Sequence, residues 1–82
     1  MGKITLEKLK ENQIGIVISV EGSGEINHRL LDMGIVPGAK IKISKAAPFG
    51  DPLQIEIRGY SMCIRKETAR KIIVEVERWY LH

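Results

Sequence analysis

Short stretches in which β-branched residues alternate with polar ones restrict the folds open to this sequence more than any other feature. The clearest spans residues 53–58, where Leu53, Ile55 and Ile57 alternate with Gln54, Glu56 and Arg58. A period of two places alternate side chains on one face of a β-strand. The composition agrees, because 13 isoleucines and 5 valines against 4 alanines favour strands. We predict five strands, at residues 14–20, 40–45, 53–58, 61–64 and 72–77.

The length of the chain limits how these strands can be arranged. A domain of 82 residues buries only about 60% of the surface that its unfolded chain exposes. Closing a small sheet on itself removes exposed edges and creates one shared core. We predict a mainly β fold, a small SH3-like five-stranded barrel with an inserted short α-helix; an oligonucleotide-binding barrel is the alternative. The predicted core comprises Ile14, Ile16, Ile18, Leu30, Ile41, Ile43, Leu53, Ile55, Ile57 and Val74.

The inserted helix is predicted directly after the first strand. Apolar residues recur there at helical spacing, at Ile26, Leu30 and Met33. Ser23 is a suitable N-cap, and Gly34 is placed to end the helix. Pro37 and Gly38 then turn the chain and prevent the helix from continuing. Shorter helical turns are predicted at residues 5–10 and 65–71, and a loop at 47–52.

Charge and composition argue against several classes of protein. A net charge of +3 is small for a dedicated nucleic-acid binder. No uninterrupted apolar run exceeds three residues, against the ~20 residues that a membrane span needs, and no secretion signal opens the chain. The single cysteine, Cys63, cannot form an internal disulfide and is expected to fill space in or near the core. We expect one cytoplasmic domain spanning residues 1–82.

The sequence contains no recognisable catalytic constellation. The Gly22–Gly24 segment follows a strand and precedes a helix, but Asn27 occupies the place of the third glycine of a dinucleotide fingerprint. His28 and Asp32 lie four residues apart on one helix face and are weak candidates for metal ligands, because two ligands do not complete a site. We predict no enzymatic activity and no cofactor.

Three lysines on one predicted strand suggest an alternative function. Lys40, Lys42 and Lys45 form a basic stripe of the kind that small barrels use to bind RNA. Such barrels usually add stacking aromatic residues, and this chain has one Phe, one Trp and two Tyr. RNA binding is therefore kept as an alternative function.

Two motifs occupy the middle of the chain. The first is Arg29-Leu30-x-x-Met33-Gly34-Ile35-x-Pro37-Gly38, and the second is Ala47-Pro48-x-Gly50-Asp51-Pro52. In this order and spacing they resemble the FeoA family of ferrous-iron transport accessory proteins. The resemblance covers roughly residues 5–77, which makes the chain a single FeoA-like domain with a C-terminal tail at 78–82. The motif residues expected to shape the backbone are Gly34, Pro37, Gly38, Pro48, Gly50, Asp51 and Pro52.

The resemblance implies a cytoplasmic SH3-like barrel that binds and modulates the FeoB-type membrane transporter of ferrous iron, a GTPase, without enzymatic activity. It implies contact with the inner face of the membrane only through the transporter. We also expect no nucleic-acid partner and, because open edge strands can pair between copies, a monomer or weak homodimer. We predict the contact surface on the helix, with Arg29 pairing with a carboxylate and with Leu31 and Met33 giving apolar contacts. The alternative for these two apolar residues is that Leu31 and Met33 belong to the core. A weak iron carrier acting through His28, Asp32 or His82 is kept as an alternative function.

Overall fold

The computed structural model describes residues 2–22, 24–46 and 51–77. Within these ranges, strands and short helices succeed one another as β1 (Lys3–Thr5), a 3-10 helix (Leu6–Lys8), β2 (Ile14–Val20), α1 (Glu25–Asp32), β3 (Lys40–Ala46), β4 (Leu53–Ile57), β5 (Tyr60–Ile64), α2 (Lys66–Ala69) and β6 (Ile72–Val76). All five predicted strands are present as β2 to β6. The turns predicted at 5–10 and 65–71 correspond to the 3-10 helix and to α2.

The described strands form one antiparallel sheet in the order β1-β6-β2-β3-β4-β5. The sheet has six strands instead of the five predicted, because β1 pairs with β6 through Lys3↔Glu75 and Ile4↔Val74. Its three residues carry too short a pattern to indicate a strand by themselves. Strands β1 and β5 lie at the two ends of the sheet without pairing to each other, so the barrel is partly open. The mainly β fold with an inserted helix is confirmed.

In the described part of the chain the core lies on one side of this sheet, and half of its buried apolar residues were predicted. Seven of the predicted residues are buried, namely Leu30, Ile41, Ile43, Leu53, Ile55, Ile57 and Val74. Further buried apolar residues come from the 3-10 helix, the segment after α1, the end of β5, α2 and β6, and include Leu6, Leu9, Ile35, Ile64, Ala69 and Ile72. Ile55 has no exposed surface and occupies the centre of β4, whose inward residues alternate regularly.

The assignment of Ile14, Ile16 and Ile18 to the core was wrong. These three residues are half-buried on the outer face of β2, whereas Gly15 and Val17 face inward. Strand β2 is apolar on both faces, so alternation alone did not identify its inner face.

Strand β2 also contains a bulge. The register with β6 shifts between Val17 and Ser19. An extra residue in one strand reverses the side-chain alternation beyond it. Val20 consequently packs against the core although it shares even numbering with the outward-facing Ile14 and Ile16.

Helix α1 begins one residue later than the sequence predicted. Its N-cap residue is Gly24, whose φ of +73° and ψ of −132° lie in a region that only glycine adopts readily. Ser23, the predicted N-cap, lies outside the described residues. The Asn27 side chain donates a hydrogen bond of 2.9 Å to the Gly22 carbonyl, which attaches the first turn of the helix to the preceding segment.

The turn after α1 attaches the helix to β2. Ala39 N–H donates to the Val36 carbonyl at 2.9 Å and closes a turn around Pro37 and Gly38, as predicted. Gly38 N–H donates to the Val17 carbonyl, and Val17 N–H donates to the Ala39 carbonyl, both at 2.8 Å. The end of α1 is therefore held at a fixed place above the sheet.

Candidate partner-binding surface

The C-terminus of α1 has a complete glycine-terminated cap. Gly34 adopts a φ of +91°, which favours glycine, and its N–H donates to the Leu31 carbonyl at 3.0 Å. Ile35 N–H donates to the Leu30 carbonyl at 2.9 Å, and both of these side chains are buried. This Schellman arrangement confirms the predicted role of Gly34 and fixes which side of α1 faces the core.

The β4–β5 hairpin also contacts the C-terminal end of α1. The Tyr60 hydroxyl donates a hydrogen bond of 2.9 Å to the Met33 carbonyl. Arg58 lies against Gly34, where an added Cβ would be 3.4 Å from the Arg58 Cδ. Strand β5 is thus hydrogen-bonded directly to the C-terminal end of α1.

A groove of about 160 Å³ lies between α1 and the end of β5. Arg29 and Leu30 of α1 and Met33, the C-cap residue of the helix, form one wall. The opposite wall is formed by Cys63, Ile64 and Arg65, and Thr68 of α2 also lines the groove. The floor is apolar, because Leu30 and Ile64 are 2% and 4% exposed, respectively. We call this feature the α1–β5 groove.

Positive charge lies on both walls of the α1–β5 groove. Arg29 and Arg65 are exposed and line it, and among the described residues no acidic side chain is part of the lining. In the described part of the chain the ion pairs are Arg70–Glu7 at 3.0 Å and Lys40–Glu77 at 3.5 Å, so neither groove arginine is paired there. A guanidinium group offers a planar set of donors that matches a carboxylate.

The three residues predicted to contact a partner have different positions. Arg29 and Met33 line the groove, and Met33 also packs partly against the core. Leu31 is 48% exposed and does not line the groove, since it lies on another side of the helix. Leu31 is therefore not a core residue, and the opposite wall of the groove was not identified from the sequence.

Cys63 is exposed, so the prediction that it fills space in or near the core was wrong. Its neighbour Ile64 is buried, as alternation within β5 requires. The sequence signal for its exposure was weak, because both faces of Tyr60–Ile64 carry uncharged side chains.

The weak metal-ligand candidates His28 and Asp32 are both exposed on α1, and His82 lies outside the described residues. Across residues 2–22, 24–46 and 51–77, no group of three or more His, Cys, Asp or Glu side chains is placed to hold a metal ion. The lysine stripe is also interrupted, because Lys40 pairs with Glu77 and Lys42 lies opposite Glu56.

The second motif contributes a contact between distant parts of the chain. The Asp51 carboxylate accepts a hydrogen bond of 2.9 Å from the backbone N–H of Lys66, the first residue of α2. This satisfies one of the free N–H groups at the helix start, close to Arg65 at the groove. Pro52 is exposed beside it, and Pro48 and Gly50 lie outside the described residues.

None of the helices in the described part of the chain has the length and apolar character needed to cross a lipid bilayer.

Comparison with known proteins identifies relatives of this chain. Residues 4–76 match the FeoA domain. A Porphyromonas gingivalis protein, the Fe(2+) transport protein A/Fe(2+) transporter FeoB fusion protein, is 37% identical over 71 residues. That alignment covers 87% of this chain but only 8% of the fusion protein, so the chain corresponds to a small part of that relative.

Solved structures of other proteins have a similar fold to this chain. The solution structure of an FeoA-like protein from Clostridium acetobutylicum is 35% identical and covers 100% of this chain and 95% of its own, with a TM-score of 0.88. Stenotrophomonas maltophilia FeoA complexed with zinc, described as a prokaryotic SH3 domain protein, is 25% identical with a TM-score of 0.77. It covers 88% of this chain and 89% of its own, and it supports the predicted SH3-like barrel. Since the domain match extends over nearly all of the described sequence, the chain belongs to the FeoA domain family.

Proposed function

We propose that this protein is a non-enzymatic accessory protein of ferrous-iron uptake that binds and modulates an FeoB-type membrane transporter. The observation that carries the proposal is the Porphyromonas gingivalis relative, in which a region 37% identical to this chain is part of one polypeptide with an Fe(2+) transporter FeoB. Ferrous iron is the cargo of the transporter in this proposal, and the accessory protein needs no resident cofactor.

Fusion supports a contact function for a physical reason. Joining two modules by a linker converts their association into an intramolecular event, with an effective concentration that reaches the millimolar range for short flexible linkers. Such a connection has an effect only when the two modules touch. A separate chain with the same fold must achieve this contact through the affinity of its own surface.

We assign that surface to α1 and its surroundings. Leu31 is one of the large apolar side chains that the described structure leaves exposed. Arg29 and Met33 lie on the adjacent groove side of the same helix. Within residues 2–22, 24–46 and 51–77, Arg29 forms no ion pair. An exposed leucine beside such an arginine combines apolar burial with recognition of a carboxylate. We place the protein on the cytoplasmic side of the membrane, as a monomer or weak homodimer recruited by the transporter.

Anaerobic co-purification with the cognate FeoB-type transporter tests the proposal. The wild-type chain is expected to be retained by the immobilised transporter in stoichiometric amounts. Leu31→Glu is expected to reduce retention without lowering the thermal midpoint, because Leu31 lies outside the buried core. Lys45→Gln, at an exposed residue of β3, changes the net charge by the same amount and serves as the control. Absence of wild-type retention in any nucleotide state of the transporter contradicts the proposal.

A further inference from the structure

Strand β5 has an open edge. It lies at one end of the sheet and pairs only with β4 among the described strands. Backbone N–H and C=O groups along such an edge are available to another extended chain. The opposite end of the sheet, β1, is shorter and carries Lys3, whereas Tyr60–Ile64 contains neither a charged residue nor a proline. Charges and prolines are the usual protection against pairing, so β5 is the less protected edge.

The register of the hairpin shows which backbone groups face outward. Arg58 and Gly59, with φ values of +54° and +87°, form a two-residue turn that Ile57 and Tyr60 close as a pair. Hydrogen-bonded and non-hydrogen-bonded pairs alternate along an antiparallel ladder. Ser61 and Cys63 therefore occupy non-hydrogen-bonded positions toward β4, and their N–H and C=O groups point to the open edge.

The α1–β5 groove reaches the end of this edge. Cys63, whose N–H and C=O groups point to the open edge, lines the groove together with its neighbour Ile64. Residues of α1 line the groove as well, which leaves a channel between the end of β5 and the helix. Domains that bind peptides by strand addition use this arrangement.

The lining indicates what kind of segment fits. Arg29 and Arg65 stand on opposite walls, and within the part of the chain that the structure describes no carboxylate lines the groove. Leu30, Ile64 and Met33 provide apolar surface. The nearby Asp51 carboxylate accepts a hydrogen bond from the Lys66 N–H and is not among the residues that line the groove. Side chains two residues apart in an extended chain face the same way. The matching segment therefore carries an acidic and an apolar residue separated by one position.

We propose that the transporter is bound by strand addition: an extended acidic-apolar segment of the FeoB-type protein pairs with the open edge of β5 and fills the α1–β5 groove. This inference rests on the proposed function and specifies its mode of recognition. The added strand bonds to the N–H and C=O groups of Ser61 and Cys63, one of its side chains packs on Leu30 and Ile64, and its carboxylate pairs with Arg29 and Arg65.

A proline at Cys63 tests the backbone pairing. Cys63→Pro removes an N–H that faces the open edge, so the ladder with β4 is retained, and proline is tolerated at such edge positions. Binding to the purified cognate transporter is expected to weaken by about tenfold, because one backbone hydrogen bond to the added strand is lost. The matched control, Cys63→Ser, keeps the N–H and a side chain of similar size and is expected to bind like the wild type.

Charge reversal tests the recognition of a carboxylate. The double variant Arg29→Glu/Arg65→Glu is expected to lose about tenfold or more in affinity, with a loss that shrinks at high salt. Lys10→Glu is the control, since Lys10 is exposed and does not line the groove. If the double variant binds as tightly as Lys10→Glu, the acidic segment is excluded and the proposal is overturned.

Amide hydrogen exchange of the wild-type chain provides a measurement that no variant's folding can affect. The amides of Ser61 and Cys63 are expected to exchange more slowly in the transporter complex than in the free protein. Unchanged exchange at both amides, or a folded Cys63→Pro variant that binds like Cys63→Ser, refutes strand addition while leaving transporter contact intact. If the wild-type chain does not bind the transporter at all, the proposed function and this inference fail together.

Discussion

Gly15→Ala is a demanding test of which face of β2 points into the core. A Cβ atom added at Gly15 would lie 2.9 Å from the Val74 Cγ2, 3.0 Å from the Val74 Cβ and 3.3 Å from the Leu9 Cδ2. Carbon atoms in favourable contact are about 3.5–4.0 Å apart. A rotamer change of Val74 relieves only the contact with Cγ2, because its Cβ is fixed to the backbone. The backbones of β2 and β6 must therefore separate locally.

The expected loss of stability follows from this overlap. Overfilling a packed core costs about 1–3 kcal/mol. Replacing glycine in the unfolded chain offsets about 0.4–1 kcal/mol of that cost. A net loss of about 1–2 kcal/mol is substantial for a chain of 82 residues, whose total stability is expected to be about 4–12 kcal/mol. At about 4–8 °C per kcal/mol, the thermal midpoint falls by roughly 5–15 °C.

Thermal and urea unfolding followed by circular dichroism measure this effect. Gly2→Ala is the matched control, because an added Cβ at Gly2 meets no atom within 4 Å. The control is expected to be as stable as the wild type or slightly more stable. If Gly15→Ala unfolds at the same midpoint as Gly2→Ala, then Gly15 does not face Val74 and the inward orientation of Gly15 and Val17 is refuted.

Other variants test the core, the helix attachment and the metal candidates. Ile55→Ala, at a side chain with no exposed surface, is expected to cost about 2–5 kcal/mol in urea unfolding, and an unchanged midpoint would remove Ile55 from the core. Tyr60→Phe removes the exposed hydrogen bond to the Met33 carbonyl and is expected to cost about 0.5–1.5 kcal/mol, whereas a larger loss would contradict a single exposed bond. The double variant His28→Ala/Asp32→Ala is expected to retain its thermal midpoint and the wild-type response to anaerobic ferrous-iron titration; loss of a tightly bound ion would support iron carriage.

The sequence predicted the elements whose patterns are local and unambiguous. The alternation in Leu53–Ile57 separates apolar from polar residues, so the inner face of β4 was predicted correctly. The end of α1 at Gly34 was predicted because a left-handed cap residue has a strong local signature. Strand β2 lacks such a contrast, and its inner face depends on the close approach of Gly15 to Val74 across the sheet.

The residues of the candidate site likewise differ in whether the sequence identified them. Arg29 and Met33 were identified because they lie on one helix within a single motif. The opposite wall, with Cys63 and Arg65, forms only when the sheet brings β5 beside α1. No spacing in the sequence reports that approach, because two strands, β3 and β4, separate the two walls along the chain.

The hydrogen bond between the Tyr60 hydroxyl and the Met33 carbonyl has a kinetic consequence. It joins the hairpin that carries one wall of the groove to the helix that carries the other, so their separation at this end is set when the protein folds. A partner segment then loses its own conformational entropy on docking, while the groove loses little. Association to such a preformed channel proceeds without a slow opening step, and differences in affinity among variants of the segment are expected in their dissociation rates.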